Sequence, residues 1–326
     1  MKKSISIILS ILMLVSLFAL VGCGEKPNTT PTAKFGAALY VAAPSATDAT
    51  ADKEGQGSAD VTMAAVTVDA EGKIVACRID TMQSKMKYTA EGKAIGNPEA
   101  KSKRELGNDY GMSAIGKKEW FEQINALEGV VVGKTLDEVK ALMVDGYKPG
   151  DALVAAGCTI SIPDYIAAIE KAYNAAKNGS DVAADATLKI GMHTEQSISD
   201  ASADKDGSNQ VDVYGFAAAV DANGKVIKGF SDCVQVKFTF DTTGKSTFDA
   251  TKEIKSKFEL GSNYGMTAAG KQEWYIQAAA FDSQCEGKTG AEIAGLMATD
   301  GKGVESVQTA GCTIYVTGFV KAASKI

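Results

Sequence analysis

The chain reads Glu105-Leu106-Gly107-Asn108-Asp109-Tyr110-Gly111-Met112, and 154 residues later Glu259-Leu260-Gly261-Ser262-Asn263-Tyr264-Gly265-Met266. The register persists well beyond this stretch. Ala114, Gly116, Lys117, Glu119, Trp120 and Gln123 meet Ala268, Gly270, Lys271, Glu273, Trp274 and Gln277, and Ala156-Gly157-Cys158-Thr159-Ile160 meets Ala310-Gly311-Cys312-Thr313-Ile314. Upstream the offset shrinks to 152, so that Asp52-Lys53-Glu54-Gly55 faces Asp204-Lys205-Asp206-Gly207. The sequence is written twice. It predicts two tandem homologous domains, at 34–176 and 188–326, joined by a polar, small-residue linker at 177–187.

Within each copy, short β-branched and apolar runs come first. Phe35 to Ala42, Val61 to Asp69 and Lys73 to Met82 read as antiparallel strands. Ala70-Glu71-Gly72-Lys73 is the turn between the last two, and Ala222-Asn223-Gly224-Lys225 is its counterpart. Helical spacing follows over 101–133, with Trp120, Ile124 and Leu127 on one stripe. Thr135-Leu136-Asp137-Glu138 has the form of a capping box that opens a helix with Val139, Leu142 and Met143 on its apolar face. Cys158 to Ser161 reads as a short β-prone piece leading into a helix at 164–176, with Ile166, Ile169 and Tyr173 on its buried side. The fold class expected is therefore α+β, each copy a small antiparallel sheet followed by helices.

The first residues carry an address. Lys2 and Lys3 precede an apolar run from Ile5 to Leu20, and Leu20-Val21-Gly22-Cys23 follows at once. A run of about 16 residues falls short of the ~20 that span a bilayer core. A small residue ahead of a cysteine resembles the bacterial lipoprotein signal. That resemblance implies a signal peptide at 1–22, lipidation of Cys23, and anchorage in the lipid bilayer on the extracytoplasmic face of the cell membrane. Residues 23–33, with Pro27, Pro31 and several threonines, read as a flexible tether.

Composition removes whole classes of function. The 326 residues carry 34 Lys and Arg against 40 Asp and Glu, a formal charge of −6, and losing Lys2 and Lys3 makes it more negative still. With no basic cluster, nucleic acid is not an expected partner. His193 is the one histidine and has no counterpart in the first copy, so neither a multi-histidine metal site nor a shared catalytic triad can be built. The six cysteines include no CxxC pair, and no metal site or catalytic constellation is expected.

What remains are turns suited to holding a ligand. The Gly-Cys-Thr turn places a hydroxyl near a helix entrance, where an anion or a phosphate ester is stabilised; a capping threonine is the plainer alternative. Tyr110-Gly111-Met112 and Tyr264-Gly265-Met266 offer a ring, a permissive glycine and a soft thioether to a flat ligand, or else form a turn packed on the core.

The order of strands with a Gly-Lys hairpin, a helical middle and a closing Gly-Cys-Thr-Ile-Ser resembles the bacterial FMN-binding domain family of flavinylated electron-transfer proteins. In that family a threonine of a Ser-Gly-Ala-Thr motif is esterified through the FMN phosphate by a flavin transferase. Gly157, Thr159 and Ser161 match that motif in the first copy, and Gly311 and Thr313 in the second; Ala156, Cys158, Ala310 and Cys312 depart from it. The resemblance implies FMN as cofactor, bound at Gly157, Thr159, Ser161, Gly311 and Thr313 with Tyr110 and Tyr264 beside the ring. It also implies a membrane quinone oxidoreductase and the flavin transferase as partners, and a carrier of electrons rather than an enzyme. The alternative is a cofactor-free surface lipoprotein that binds a solute, a peptide or a partner protein.

Overall fold

The computed structural model describes residues 31–96 and 100–326; Cys23, the signal peptide and most of the tether lie outside them. The fold is α+β. In the first half come β1 (Thr32–Val41), β2 (Ser45–Thr47), β3 (Gly55–Val68), β4 (Ile74–Tyr88) and β5 (Ala94–Ile95). They are followed by α1 (Lys103–Leu106), α2 (Trp120–Val131), α3 (Leu136–Lys140), the hairpin β6 (Met143–Val144) and β7 (Lys148–Pro149), α4 (Asp151–Ala156) and α5 (Pro163–Ala176). β8 (Asp181–Ala183) leads into the second half, which comprises β9 (Thr187–Ser199), β10 (Gly207–Val220), β11 (Val226–Phe240), α6 (Lys257–Leu260), α7 (Trp274–Cys285), α8 (Gly290–Ile293), α9 (Glu305–Thr309) and α10 (Thr317–Ala323).

The long hairpins form where the turn chemistry asks for them. In the β3–β4 turn the Asp69 carboxylate accepts from the Glu71 and Lys73 amides, and Gly72 supplies φ +77°. Asp221 and Gly224 repeat this between β10 and β11. One sheet runs β5-β4-β3-β1-β8 with β2 paired to β3, and the other runs β11-β10-β9, all antiparallel. β3 and β10 are buried on both faces. Val61, Met63 and Ala65 share one core with Val211, Val213 and Ala217 across the two sheets, whereas Ala64 and Val66 pack beneath helices with Ile124 and Ile169. Phe216, Ala218 and Val220 do the same against Trp274 and Phe319. The result is four layers: α2 and α5 outside the first sheet, two sheets face to face, and α7 and α10 outside the second.

Residues 31–326 thus make one compact unit. Its halves exchange reciprocal bonds. The Ala49 amide donates to the Gly244 carbonyl and the Ala201 amide to the Gly92 carbonyl, each at 2.8 Å. Asp48 accepts from the Ser246 amide, and Asp200 from that of Ala94. Lys171 pairs with Glu259, and Lys325 with Glu105. Tyr88 stacks on its own counterpart, Phe240, at 4.3 Å between ring centroids. Such i-to-j and j-to-i contacts are those of a two-fold interface, here within one chain.

Four sequence expectations need correction. The helix at 135 stops at Lys140, because Asp145 at φ +52° and Gly146 turn Met143 and Val144 into the small β6–β7 hairpin. The 101–133 region is not one helix: glycines at φ +52°, +84° and +73° (Gly107, Gly111, Gly116) divide it into α1, two 3-10 turns and α2. Cys158 to Ser161 forms no strand. Within the span read as linker, residues 181–183 pair with β1, which itself begins at Thr32 inside the span read as tether.

Candidate functional site

The first turn of α2 organises the first half. Glu119 caps the helix, and its carboxylate also accepts from the Met112 and Ser113 amides at 3.0 and 2.9 Å, so the Tyr110-Gly111-Met112 turn is tied down there. These hydrogen bonds hold the Glu119 carboxyl below its ordinary range. Gln123, one turn later and fully buried, donates to the Lys118 carbonyl at 2.9 Å. Its carbonyl oxygen accepts from both the amide (2.8 Å) and the hydroxyl (3.0 Å) of Thr159. Glu273 and Gln277 make the same bonds to Met266, Thr267, the Gln272 carbonyl and Thr313, with Thr313 at 2.9 and 3.0 Å from Gln277.

Each residue of the Gly-Cys-Thr turn has a physical reason to be there. Gly157 ends α4 at φ +102°, and a Cβ on it would lie 2.4 Å from Lys118 Nζ. Gly311 sits at φ +110° with Gln272 as its neighbour. Cys158 and Cys312 are core residues, and burial pushes their thiols up, that of Cys312 to about 12, which argues against nucleophilic thiolates. Thr159 and Thr313 remain exposed. Ser161 is exposed as well, its hydroxyl 3.4 Å from the Tyr147 carbonyl, and Tyr315 replaces it in the second half.

The helix-entrance argument for the threonine does not hold. α5 is capped by Ile162 with Pro163 in its first turn, so Thr159 lies outside that turn and its own amide is already taken by Gln123. α2, not α5, positions the hydroxyl.

Tyr110 and Tyr264 are half-buried, each with an ammonium against its ring: Lys103 Nζ at 5.2 Å and Lys257 Nζ at 5.3 Å. Those lysines are only 6 % exposed, and they also face Trp120 at 5.7 Å and Trp274 at 5.5 Å. Trp120 donates its indole N–H to Tyr165 Oη at 2.8 Å, whereas in the second half Phe319 holds the equivalent place and stacks on Trp274 at 5.3 Å. The tyrosine turn and the threonine turn therefore converge on one helix end through different residues, the first through Glu119 and the second through Gln123.

Gln123, Glu119 and Lys103 were not singled out as functional in the sequence. The signal was present for all three: polar residues at identical positions in both copies, Gln123 sitting directly on the buried Trp120-Ile124-Leu127 stripe. A cavity of about 670 Å³ opens elsewhere, between β4 and β9, lined by Gln83, Met86, His193, Glu195 and Lys321 and by none of the residues singled out around Thr159 and Thr313. Among the described residues no three His, Cys, Asp or Glu side chains gather to hold a metal ion, and no helix is long and apolar enough to cross a membrane. No family model, no curated protein and no solved structure matches the chain.

Proposed function

We propose that the chain is a lipid-anchored, extracytoplasmic carrier of FMN, joined through its phosphate to Thr159 in the first half and Thr313 in the second. One observation carries the reading: in both halves an exposed threonine hydroxyl is held in a fixed direction by a fully buried glutamine of the adjoining helix. A hydroxyl so held is accessible to a modifying enzyme, and esterifying it leaves the Thr159 amide bond to Gln123 in place. Lys118, close against Gly157, adds the positive charge that a phosphate diester favours; Gln272 stands there in the second half, so the first site is the better suited of the two. Bound FMN supplies the electron chemistry, and the protein supplies attachment, spacing and exclusion of side reactions. In this reading Tyr110 and Tyr264 flank the ring, and a lipid on Cys23 holds the chain at the membrane beside a quinone-oxidising donor.

The second reading, a cofactor-free surface module that binds a solute, a peptide or a partner protein, is favoured by a different observation. Each member of the Gly-Cys-Thr turn already does structural work, as a helix cap, a core residue and a glutamine-bound anchor. The visible spectrum of the chain purified from a host that flavinylates proteins separates the two. A flavin spectrum that survives denaturation and gel filtration supports the carrier; a colourless chain from that host supports the module.

A further inference from the structure

Outside the threonine turns, each half buries a lysine against an aspartate. Lys103 Nζ lies 3.5 Å from Asp60 Oδ2, and Lys257 Nζ lies 3.9 Å from Asp212 Oδ2. The lysine side chains are 7 % and 8 % exposed and the aspartate side chains 32 % and 18 %, and both aspartates come from interior strands of their sheets, β3 and β10. Aromatic rings lie against each ammonium: Tyr110 and Trp120 around Lys103, and Tyr214, Tyr264 and Trp274 around Lys257. A glutamine amide donates to the same aspartate oxygen in each half, Gln83 at 3.1 Å and Gln235 at 2.7 Å.

A second carboxyl group faces each pair, and it comes from a different element in each half. Asp164, at the start of α5, interacts electrostatically with both Asp60 and Lys103 and is hydrogen-bonded to Tyr40. Glu195, on β9, interacts with both Asp212 and Lys257 and is hydrogen-bonded to Tyr214; Lys321 also faces it. Burial raises the proton affinity of both carboxyls, so each is suited to taking and returning a proton. The position equivalent to Asp164 is Gly318, so in the second half the carboxyl group comes from β9 instead.

We propose that Lys103 and Asp60, and likewise Lys257 and Asp212, condense to intramolecular isopeptide bonds, with Asp164 and Glu195 as the respective proton shuttles. Burial weakens the hold of Lys103 on its proton, but Tyr165, Asp60 and Tyr110 outweigh it, so the lysine starts as the ammonium of an ion pair. Passage of one proton from Nζ to the aspartate carboxylate gives amine and carboxylic acid, the forms in which the two groups condense. The amine lone pair attacks Cγ and a C–N bond forms. Asp164 takes the remaining excess proton from nitrogen and returns it to the departing hydroxyl, so the C–O bond breaks and water leaves. Ammonium and carboxylate become amide and water, with no oxidant or cofactor. The glutamine amide faces the oxygen on which negative charge develops.

This inference is independent of the flavin, since neither Thr159 nor Thr313 takes part. Intact mass of the full chain under denaturing conditions, followed by a proteolytic peptide map, tests it. The expected result is a wild-type chain lighter by two waters, with one branched peptide joining residues 60 and 103 and another joining 212 and 257. Asp164→Asn and Glu195→Gln, which leave all four bonding residues in place, each abolish one branch while the chain stays folded by circular dichroism. A natively folded wild-type chain that yields only linear peptides overturns the proposal, and so does a loss of water without a branched peptide. A branch in one half alone overturns it for the other.

Discussion

Gln123 shows how one side chain can set a turn. It sits fully buried at the third position after Trp120 on the same apolar stripe, donating once to Lys118 and accepting twice from Thr159. Gln123→Ala is expected to cost about 1 to 2 kcal/mol, from three lost hydrogen bonds partly replaced by water, and to free the Thr159 turn. Chemical denaturation read beside amide exchange at Thr159 checks both effects, and Gln277→Ala should do the same at Thr313. A second residue-scale prediction concerns pH. Burial pushes Asp232 up to about 7 although Ser256, the Phe258 amide and the Cys233 amide all donate to it. Asp80, in the same position of the first half, is raised to about 6. An unfolded aspartate titrates near ~3.9. Between there and about 7 the folded chain keeps a proton that the unfolded chain has released, so stability falls as pH rises through this window. The loss at Asp232 is about 4 kcal/mol over the whole window and about 3 kcal/mol between about pH 5 and about pH 8, and Asp232→Asn should flatten the slope in denaturant titrations taken at those two pH values.

At the scale of elements, close approach of backbones is what the four layers demand. α5 lies so near β1 that a Cβ on Gly36 would stand 2.3 Å from the Ala172 carbonyl oxygen and the Ala176 amide nitrogen. Both obstacles are backbone, so neither can swing aside. Gly36→Val is expected to cost about 3 kcal/mol or more, measured as a fall in Tm, because α5 must lift from the sheet. Strands, hairpin turns and the Thr135 capping box were legible in the sequence because each rests on local chemistry: alternation, a glycine after an aspartate, a threonine three residues before a glutamate. The helical middle was read too long because period alone does not say which glycines take positive φ, and Gly107, Gly111 and Gly116 all do. The roles of Gln123 and Lys103 depend on residues 36 and 43 positions away in the chain, Thr159 and Asp60, and no local pattern announces such contacts.

Across the whole molecule, residues 31–326 form one body. Val61, Met63 and Ala65 share one core with Val211, Val213 and Ala217 of the other half. Thermal unfolding followed by near- and far-UV circular dichroism should therefore show one coincident transition. Tyr88→Ala, at the point where the halves meet on Phe240, should lower it for both together, by about 3 kcal/mol or more. Two transitions, only one of them moved by Tyr88→Ala, would contradict a shared core. The same two-fold arrangement gives each half its own exposed threonine on a buried glutamine, and the proposed carrier stands on that pair. The most direct measurement is the mass of the proteolytic peptides that contain Thr159 and Thr313, from the chain made together with a flavin transferase. Both peptides heavier by FMN less one water, each gain abolished by Thr159→Ala or Thr313→Ala respectively, is the predicted result. Both peptides at their unmodified mass in that host would contradict it.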